Sequence, residues 1–175
     1  VSIVPPKKFK LSGAQHKSVK KIRSALMTIG PLSHQLKNIG NKFNMSHSGG
    51  CSMGERTIAA HRHAFEKLGI NITTKEDSYK IERKANPKSA DISLYEASDT
   101  AVTNILLAAA RNPGKTILRF APPNYQVQDV CFFLEKLGIK IEGIGTTTLT
   151  IHGQNKISKK INYYEFKDDE ELLKI

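Results

Sequence analysis

The stretch Phe65-Glu66-Lys67-Leu68-Gly69-Ile70-Asn71-Ile72 decides the fold, because it returns further along as Leu134-Glu135-Lys136-Leu137-Gly138-Ile139-Lys140-Ile141. This offset is longer than the period of most solenoid repeats. Upstream of the first copy, Ile58, Phe65 and Leu68 recur at helical spacing. Val127, Val130, Cys131, Leu134 and Leu137 do the same upstream of the second. Each helix closes on a lysine and then a glycine, Lys67 to Gly69 and Lys136 to Gly138, the residues that suit a helix C-terminus. An alternating hairpin follows each, through Ile70, Ile72, Tyr79 and Ile81, then through Ile139, Ile141, Leu149 and Ile151. The chain reads as two copies of one α/β unit.

Working outward, residues 16–30 form an expected helix with Val19, Ile22, Leu26 and Ile29 on one face, ended by Gly30-Pro31. A polar, loop-like stretch is expected from about Ser33 to Gly54, then a helix from about Glu55 to Leu68. Ala85 to Ala90, with Pro87, reads as a linker, and Asp91 to Tyr95 as a strand. Ser98 is placed to cap a helix carrying Val102, Ile105, Leu106 and Ala109. Asn112-Pro113-Gly114 turns the chain into a strand over Thr116 to Phe120, and Pro122-Pro123 precedes the second repeat helix. Regularity fades after Gly153 and the chain ends in Asp168-Asp169-Glu170-Glu171. The expected division is two repeat units over 1–153 and an irregular segment over 154–175.

The chain has 175 residues, enough for one domain or two small ones, and its hydrophobic share of 39% suits a packed core. No apolar run approaches a membrane span. Val1-Ser2-Ile3-Val4-Pro5-Pro6 does not read as a signal peptide, and the missing initiator methionine is expected of a piece of a longer chain. Cys131 falls on an apolar helix face, as a small buried hydrophobe would; the two cysteines are expected to be free thiols, in keeping with a reducing cytoplasm.

The net charge of +11 gathers at Lys7, Lys8 and Lys10, at Lys17, Lys20, Lys21 and Arg23, and late at Lys156, Lys159 and Lys160. Such an excess attracts phosphates, whether nucleic acid or nucleotide, and a plain solvated lysine surface would carry it equally well. No aromatic ribonucleoprotein signature or zinc pattern accompanies it. His16, His34, His47 and His63 have no spacing that suits a metal.

A second motif lies between the repeats. His47-Ser48-Gly49-Gly50-Cys51-Ser52-Met53-Gly54-Glu55-Arg56 sets a thiol among glycines, then an arginine, just before a helix. Glycines let backbone N–H groups and a thiol approach a ligand closely, and a structural turn would need only one of them.

Several segments together resemble the UDP-N-acetylglucosamine enolpyruvyl (1-carboxyvinyl) transferases. They are Arg23-Ser24-Ala25 running to Gly30-Pro31-Leu32, the glycine-cysteine loop, Glu66-Lys67-Leu68-Gly69, Thr116-Ile117-Leu118, and Phe133-Leu134-Glu135-Lys136-Leu137-Gly138 through Ile151-His152-Gly153. The resemblance implies an inside-out α/β barrel of repeated β-α-β-α-β-β units. A complete enzyme has six units in two lobes, so this chain would be most of one lobe. It also implies enolpyruvyl transfer from phosphoenolpyruvate to the 3′-hydroxyl of UDP-N-acetylglucosamine in peptidoglycan precursor synthesis. The expected setting is cytoplasmic, with no cofactor or metal, no membrane, and a second lobe as partner.

By position, Cys51 matches the family's loop cysteine, a proton donor in the reaction, and Arg56 the arginine that holds phosphate. Arg56-Thr57-Ile58-Ala59-Ala60 matches a nucleotide-binding strip, and Arg23 an arginine facing the nucleotide sugar. Ala97, Ser98 and Asp99 match a second helix start, where N–H groups would meet the diphosphate. His61 borders the strip but lies on an apolar face, as a satisfied buried histidine would.

The departures are specific. Asp99 and Thr100 stand where the family has a small apolar residue and a glycine, Glu96 where a lysine is common, and Thr57 replaces a proline. The loop before Cys51 is longer, and Lys167-Asp168-Asp169-Glu170 lacks the family's arginine. With the family's opening lysine-asparagine pair and the other lobe's groups also missing, this piece alone is expected to bind weakly and not to turn over. A shikimate-phosphate enolpyruvyl transferase shares the fold but lacks the glycine-cysteine loop. A reading of another class is a non-catalytic basic module that recruits RNA or another polyanion, which Glu96, Asp99 and the lysine clusters favour.

Overall fold

The computed structural model describes residues 17–48 and 57–157. A 3-10 turn, Arg23–Thr28, runs into α1 (Ile29–Ser33). There follow β1 (Lys42–Ser46), α2 (Ala59–Lys67), β2 (Ile70–Thr74) and β3 (Ser78–Arg83). The second half holds β4 (Ser89–Ser93), α3 (Asp99–Ala109), β5 (Gly114–Arg119), α4 (Tyr125–Lys136), β6 (Lys140–Glu142) and β7 (Thr148–Gly153).

The two halves share one topology. In the first sheet β3 lies antiparallel between β1 and β2; in the second β7 lies antiparallel between β5 and β6, with β4 added parallel to β5. The strand that closes each hairpin therefore inserts between the two strands joined by a crossover helix. From β4 to β7 the order is β-α-β-α-β-β, the complete expected unit. The chain is α/β.

The core lies between the sheets and around α3. Ala101, Val102, Thr103, Asn104, Ile105, Leu106, Ala108 and Ala109 of that helix are all buried, the pattern of a helix enclosed on every side. Strand alternation supplies the rest: Ile70 and Ile72, Tyr79 and Ile81, Leu118, Leu149 and Ile151 point inward. The glycine stops work as expected, with Gly69 and Gly138 at φ of 73° and 90°. Cys131 is fully buried, and burial, with Glu135 nearby, pushes its thiol up to about 11.

Two expectations need correction. The single helix expected over 16–30 is broken into a helical turn at 17–19, the 3-10 turn Arg23–Thr28 and α1, with Ile22 54% exposed, and α1 runs through Gly30-Pro31 to Ser33. Proline is tolerated in a first helical turn, where its missing N–H has no carbonyl to meet. The stretch 33–54 is not all loop, because Lys42–Ser46 forms β1 and pairs along its whole length with β3. Its cue is faint, two apolar residues with Met45 alone fully inward.

Phe120 is the one non-glycine residue at positive φ among those described, at 61°, and its ring is 65% exposed. A bulky side chain there carries backbone strain that no burial offsets. Phe120→Gly is expected to raise stability by about 0.5–1 kcal/mol, allowing for glycine's extra unfolded-state entropy. An unchanged or lower urea midpoint would show that the ring makes up for the strain.

Candidate functional site

The starts of α2 and α3 and the 3-10 turn meet at one edge of the helix layer. Arg23, half-buried at the head of the turn, donates from Nη2 to the Thr57 carbonyl at 3.3 Å. Thr57 in turn accepts the Ala59 N–H on Oγ1 at 3.0 Å, so an exposed threonine, not the buried Ile58 beside it, tethers the first turn of α2. Ala59 is half-buried and Ala60 buried, with small side chains that leave the helix start unobstructed.

His61 joins the two helices. It is buried, with Nδ1 3.1 Å from Asn104 Nδ2 and Nε2 3.4 Å from Thr100 Oγ1. Burial, and then the positive charge of Arg23, hold its imidazole down to about 4. The ring is therefore neutral at pH 7, and its coupling to Arg23 places that guanidinium close by. Asn104 also ties α3 to α1: its Oδ1 accepts the Gly30 N–H at 2.6 Å and its Nδ2 donates to the Leu26 carbonyl at 2.7 Å.

Gly30 is required by this contact. A Cβ there would overlap the backbone carbonyl of Asn104 and crowd its side-chain oxygen. Gly30→Ala is expected to cost about 1–3 kcal/mol, since backbone rather than a flexible side chain must give way. A denaturation midpoint equal to that of the parent chain would contradict this close helix contact.

Ser98 caps α3 as expected, its Oγ accepting the Ala101 N–H at 3.4 Å. Thr100 Oγ1 lies 3.4 Å from the same oxygen. Asp99 turns the other way: its carboxylate accepts from Asn124 Nδ2 at 2.8 Å, while Asn124 Oδ1 caps α4 through the Val127 N–H at 3.1 Å. The acidic substitution is thus engaged with the neighbouring helix start. Ala97 and Glu96 are exposed just before the cap. His63, on the outer side of α2, bonds the Ser93 carbonyl at 3.1 Å and meets Tyr95 edge-on, ring centres 5.6 Å apart.

The structure brings together Arg23, Thr57, Ala59 and Ala60 with Ser98, through His61 and Thr100. Asp99 is on the adjoining side. Cys51 and Arg56 lie outside the described residues. Sequence reasoning missed Asn104 and Thr100. A polar residue at a core position of an otherwise apolar helix was the available signal for Asn104; Thr100 stood out only as a departure from the glycine that the resemblance implies, not as a site residue.

The family model for EPSP synthase (3-phosphoshikimate 1-carboxyvinyltransferase) matches residues 1–169. Among curated relatives, the UDP-N-acetylglucosamine 1-carboxyvinyltransferase of Endomicrobium trichonymphae is 37% identical over 144 residues, 82% of this chain and 34% of the relative. The protein of that name from Campylobacter fetus subsp. fetus (strain 82-40) is 41% identical over 141 residues, 80% of this chain and 32% of the relative. The chain spans about a third of the length of these relatives. Among solved structures, the enolpyruvyl transferase NikO from Streptomyces tendae aligns with a TM-score of 0.60 at 18% identity, covering 85% of this chain and 33% of that one. EPSP synthase from Acinetobacter baumannii aligns with a TM-score of 0.55 at 22% identity, covering 76% and 30%. At these identities the structural likeness speaks for the fold alone. Among the described residues no helix is long and apolar enough to cross a membrane.

Proposed function

The chain belongs to the EPSP synthase (3-phosphoshikimate 1-carboxyvinyltransferase) family, and from that premise we propose that it is most of one lobe of a cytoplasmic enolpyruvyl transferase acting on UDP-N-acetylglucosamine. Residues 1–153 supply about two repeat units, and 154–175 lead toward the rest of the enzyme. One observation carries the reading: Arg23 and the starts of α2 and α3 converge on one edge, linked by Thr57, His61 and Thr100. Helix starts offer unpaired N–H groups and positive dipole ends, and an arginine fork beside them completes an anion site. The glycine-cysteine loop and the relatives named for the nucleotide-sugar reaction favour that acceptor over shikimate phosphate.

In the complete enzyme the diphosphate and sugar lie across Arg23, Ala97 to Asp99 and the strip from Thr57 to Ala60. Arg56 holds phosphate, and Cys51 donates a proton as the enolpyruvyl group moves from phosphoenolpyruvate to the 3′-hydroxyl and phosphate leaves. A thiol that ionises near neutral pH suits such a proton transfer. The neutral His61 adds no second positive charge to Arg23, so it serves as a hydrogen-bonding group.

The polyanion reading rests on charge, and part of that charge is engaged. Glu82 pairs with Lys80 at 2.6 Å and Lys84 at 3.1 Å, Glu142 with Lys140 at 2.6 Å, and Asp77 with Lys20 at 3.9 Å. These pairs shrink the free basic surface without removing it.

Thiol labelling separates the two readings. Iodoacetamide should alkylate Cys51 and spare the buried Cys131, an internal control. UDP-N-acetylglucosamine should slow the Cys51 reaction. Labelling that ignores the nucleotide sugar but is slowed by RNA in a salt-dependent way would favour the polyanion module.

A further inference from the structure

Asn104 stands fully buried in the middle of α3, and two backbone groups dictate which way its amide points. The Gly30 N–H can only donate, so the atom 2.6 Å away is the Asn104 oxygen. The Leu26 carbonyl can only accept, so the atom 2.7 Å away is the nitrogen. The second hydrogen of that nitrogen lies on His61 Nδ1 at 3.1 Å, and Nδ1 must therefore accept. In a neutral ring the proton then sits on Nε2, facing Thr100 Oγ1 at 3.4 Å. With Thr100 accepting there, its own hydrogen turns to Ser98 Oγ, also at 3.4 Å. Ser98 Oγ already takes the Ala101 N–H, so both of its lone pairs are used. Its hydrogen is left to point outward.

We propose that Asn104, His61 and Thr100 form a directed hydrogen-bond relay that turns the Ser98 hydroxyl into a donor for an acceptor oxygen of the ligand. The inference deepens the proposed function and rests on its placing of a diphosphate or sugar oxygen at the start of α3. Asn104, His61 and Thr100 are positioning residues; Ser98 makes the contact. The inner bonds, at 2.6–3.1 Å, are short and buried, while the outer two, at 3.4 Å, involve hydroxyls free to rotate. The inner end thus sets the direction and the outer end adapts to the ligand. Thr100 supplies the link to Ser98 from one of the positions at which this sequence departs from the pattern the resemblance implies.

The first test needs no ligand. Nitrogen-15 spectra of the His61 ring in the unmodified chain should show Nδ1 unprotonated and Nε2 protonated at pH 7. A ring protonated on Nδ1 would overturn the relay at its root. The second test titrates UDP-N-acetylglucosamine into Thr100→Val and Thr100→Ser, changes at an exposed position in the first turn of α3 that leave the core untouched. Thr100→Val should weaken binding about tenfold, the worth of one hydrogen bond, and Thr100→Ser should restore it. Valine binding as tightly as threonine would overturn the proposal. An Nε2-protonated ring in a chain that binds no nucleotide sugar would support the inner relay, and would count against the proposed ligand instead.

Discussion

Arg83→Ala is expected to lower the unfolding free energy by about 3–5 kcal/mol, among the largest effects of any single change in this chain. Arg83 ends β3, and its side chain is buried at 7% exposure. Among the described residues it meets no carboxylate. Its Nε donates to the Leu36 carbonyl at 2.9 Å and its Nη2 to Ser33 at 3.3 Å, while Nη1 reaches Leu68 at 3.1 Å and Ala85 at 3.4 Å. Ser33 ends α1 and Leu68 follows α2, so one guanidinium satisfies the final carbonyls of two helices. Those carbonyls have no partner within their own helices, and their dipoles favour a positive charge.

Burial lowers the Arg83 pKa, yet a guanidinium stays charged in proteins, so the cage of carbonyls is what makes the buried charge tolerable. Alanine would leave the buried Leu36 and Leu68 carbonyls unmet, the Ser33 carbonyl with only the Leu36 N–H, and a cavity beside them. Lysine should recover little, because one ammonium cannot span both helix ends as a planar fork does. Urea denaturation of the parent, Arg83→Ala and Arg83→Lys chains reads this directly. A loss below about 1 kcal/mol in Arg83→Ala would mean that water replaces the guanidinium at little cost.

Stability should also fall by about 3 kcal/mol between pH 6.5 and pH 4, through His61. Its folded-state pKa is held at about 4 by burial and by Arg23, against an ordinary 6.5. Between these values the unfolded chain binds a proton that the folded chain refuses. The unfolded state is therefore favoured as pH falls. The contribution is complete above about 6.5, disappears progressively toward 4, and changes no further below it. Glu82, held down to about 2 by Lys80 and Lys84 against an ordinary 4.5, adds a downward slope of its own from about 4.5 toward 2, so the His61 signature is read above about pH 5. Denaturation midpoints at several pH values should slope downward over that range in the parent chain and level out in His61→Asn. A flat parent profile would show that His61 protonates freely in the folded state.

The repeat was legible because it is written in side chains that obey strong local rules. Lys67-Leu68-Gly69 and Lys136-Leu137-Gly138 stop helices through backbone conformation, and the alternating isoleucines of the hairpins have only one face to bury. The Ser98 cap was legible for the same reason. β1 was not, since Lys42–Ser46 is held by its ladder to β3 more than by its own apolar content. The run of α1 through Gly30-Pro31 was hidden as well. The glycine there answers to Asn104, a residue far along the chain whose contact no local pattern reports.

The candidate site divides along the same line. Arg23, Thr57 and Ser98 were expected from their matching positions, and the structure sets them around adjoining helix starts. Asp99 looked like a charge conflict in the sequence, and the structure gives it Asn124 as a partner. His61 is buried and satisfied as its apolar face suggested, yet it also links α2 to α3, a role that depends on Asn104 and Thr100. Long-range partners of this kind cannot be read from spacing.

The central claim is that this chain carries the nucleotide-sugar half of an enolpyruvyl transferase site, and calorimetric titration with UDP-N-acetylglucosamine tests it most directly. The account predicts weak but saturable heat at millimolar ligand, lost in Arg23→Ala, whose folding the same calorimeter can verify. No saturable heat in the folded parent chain, or equal binding by Arg23→Ala, would contradict it.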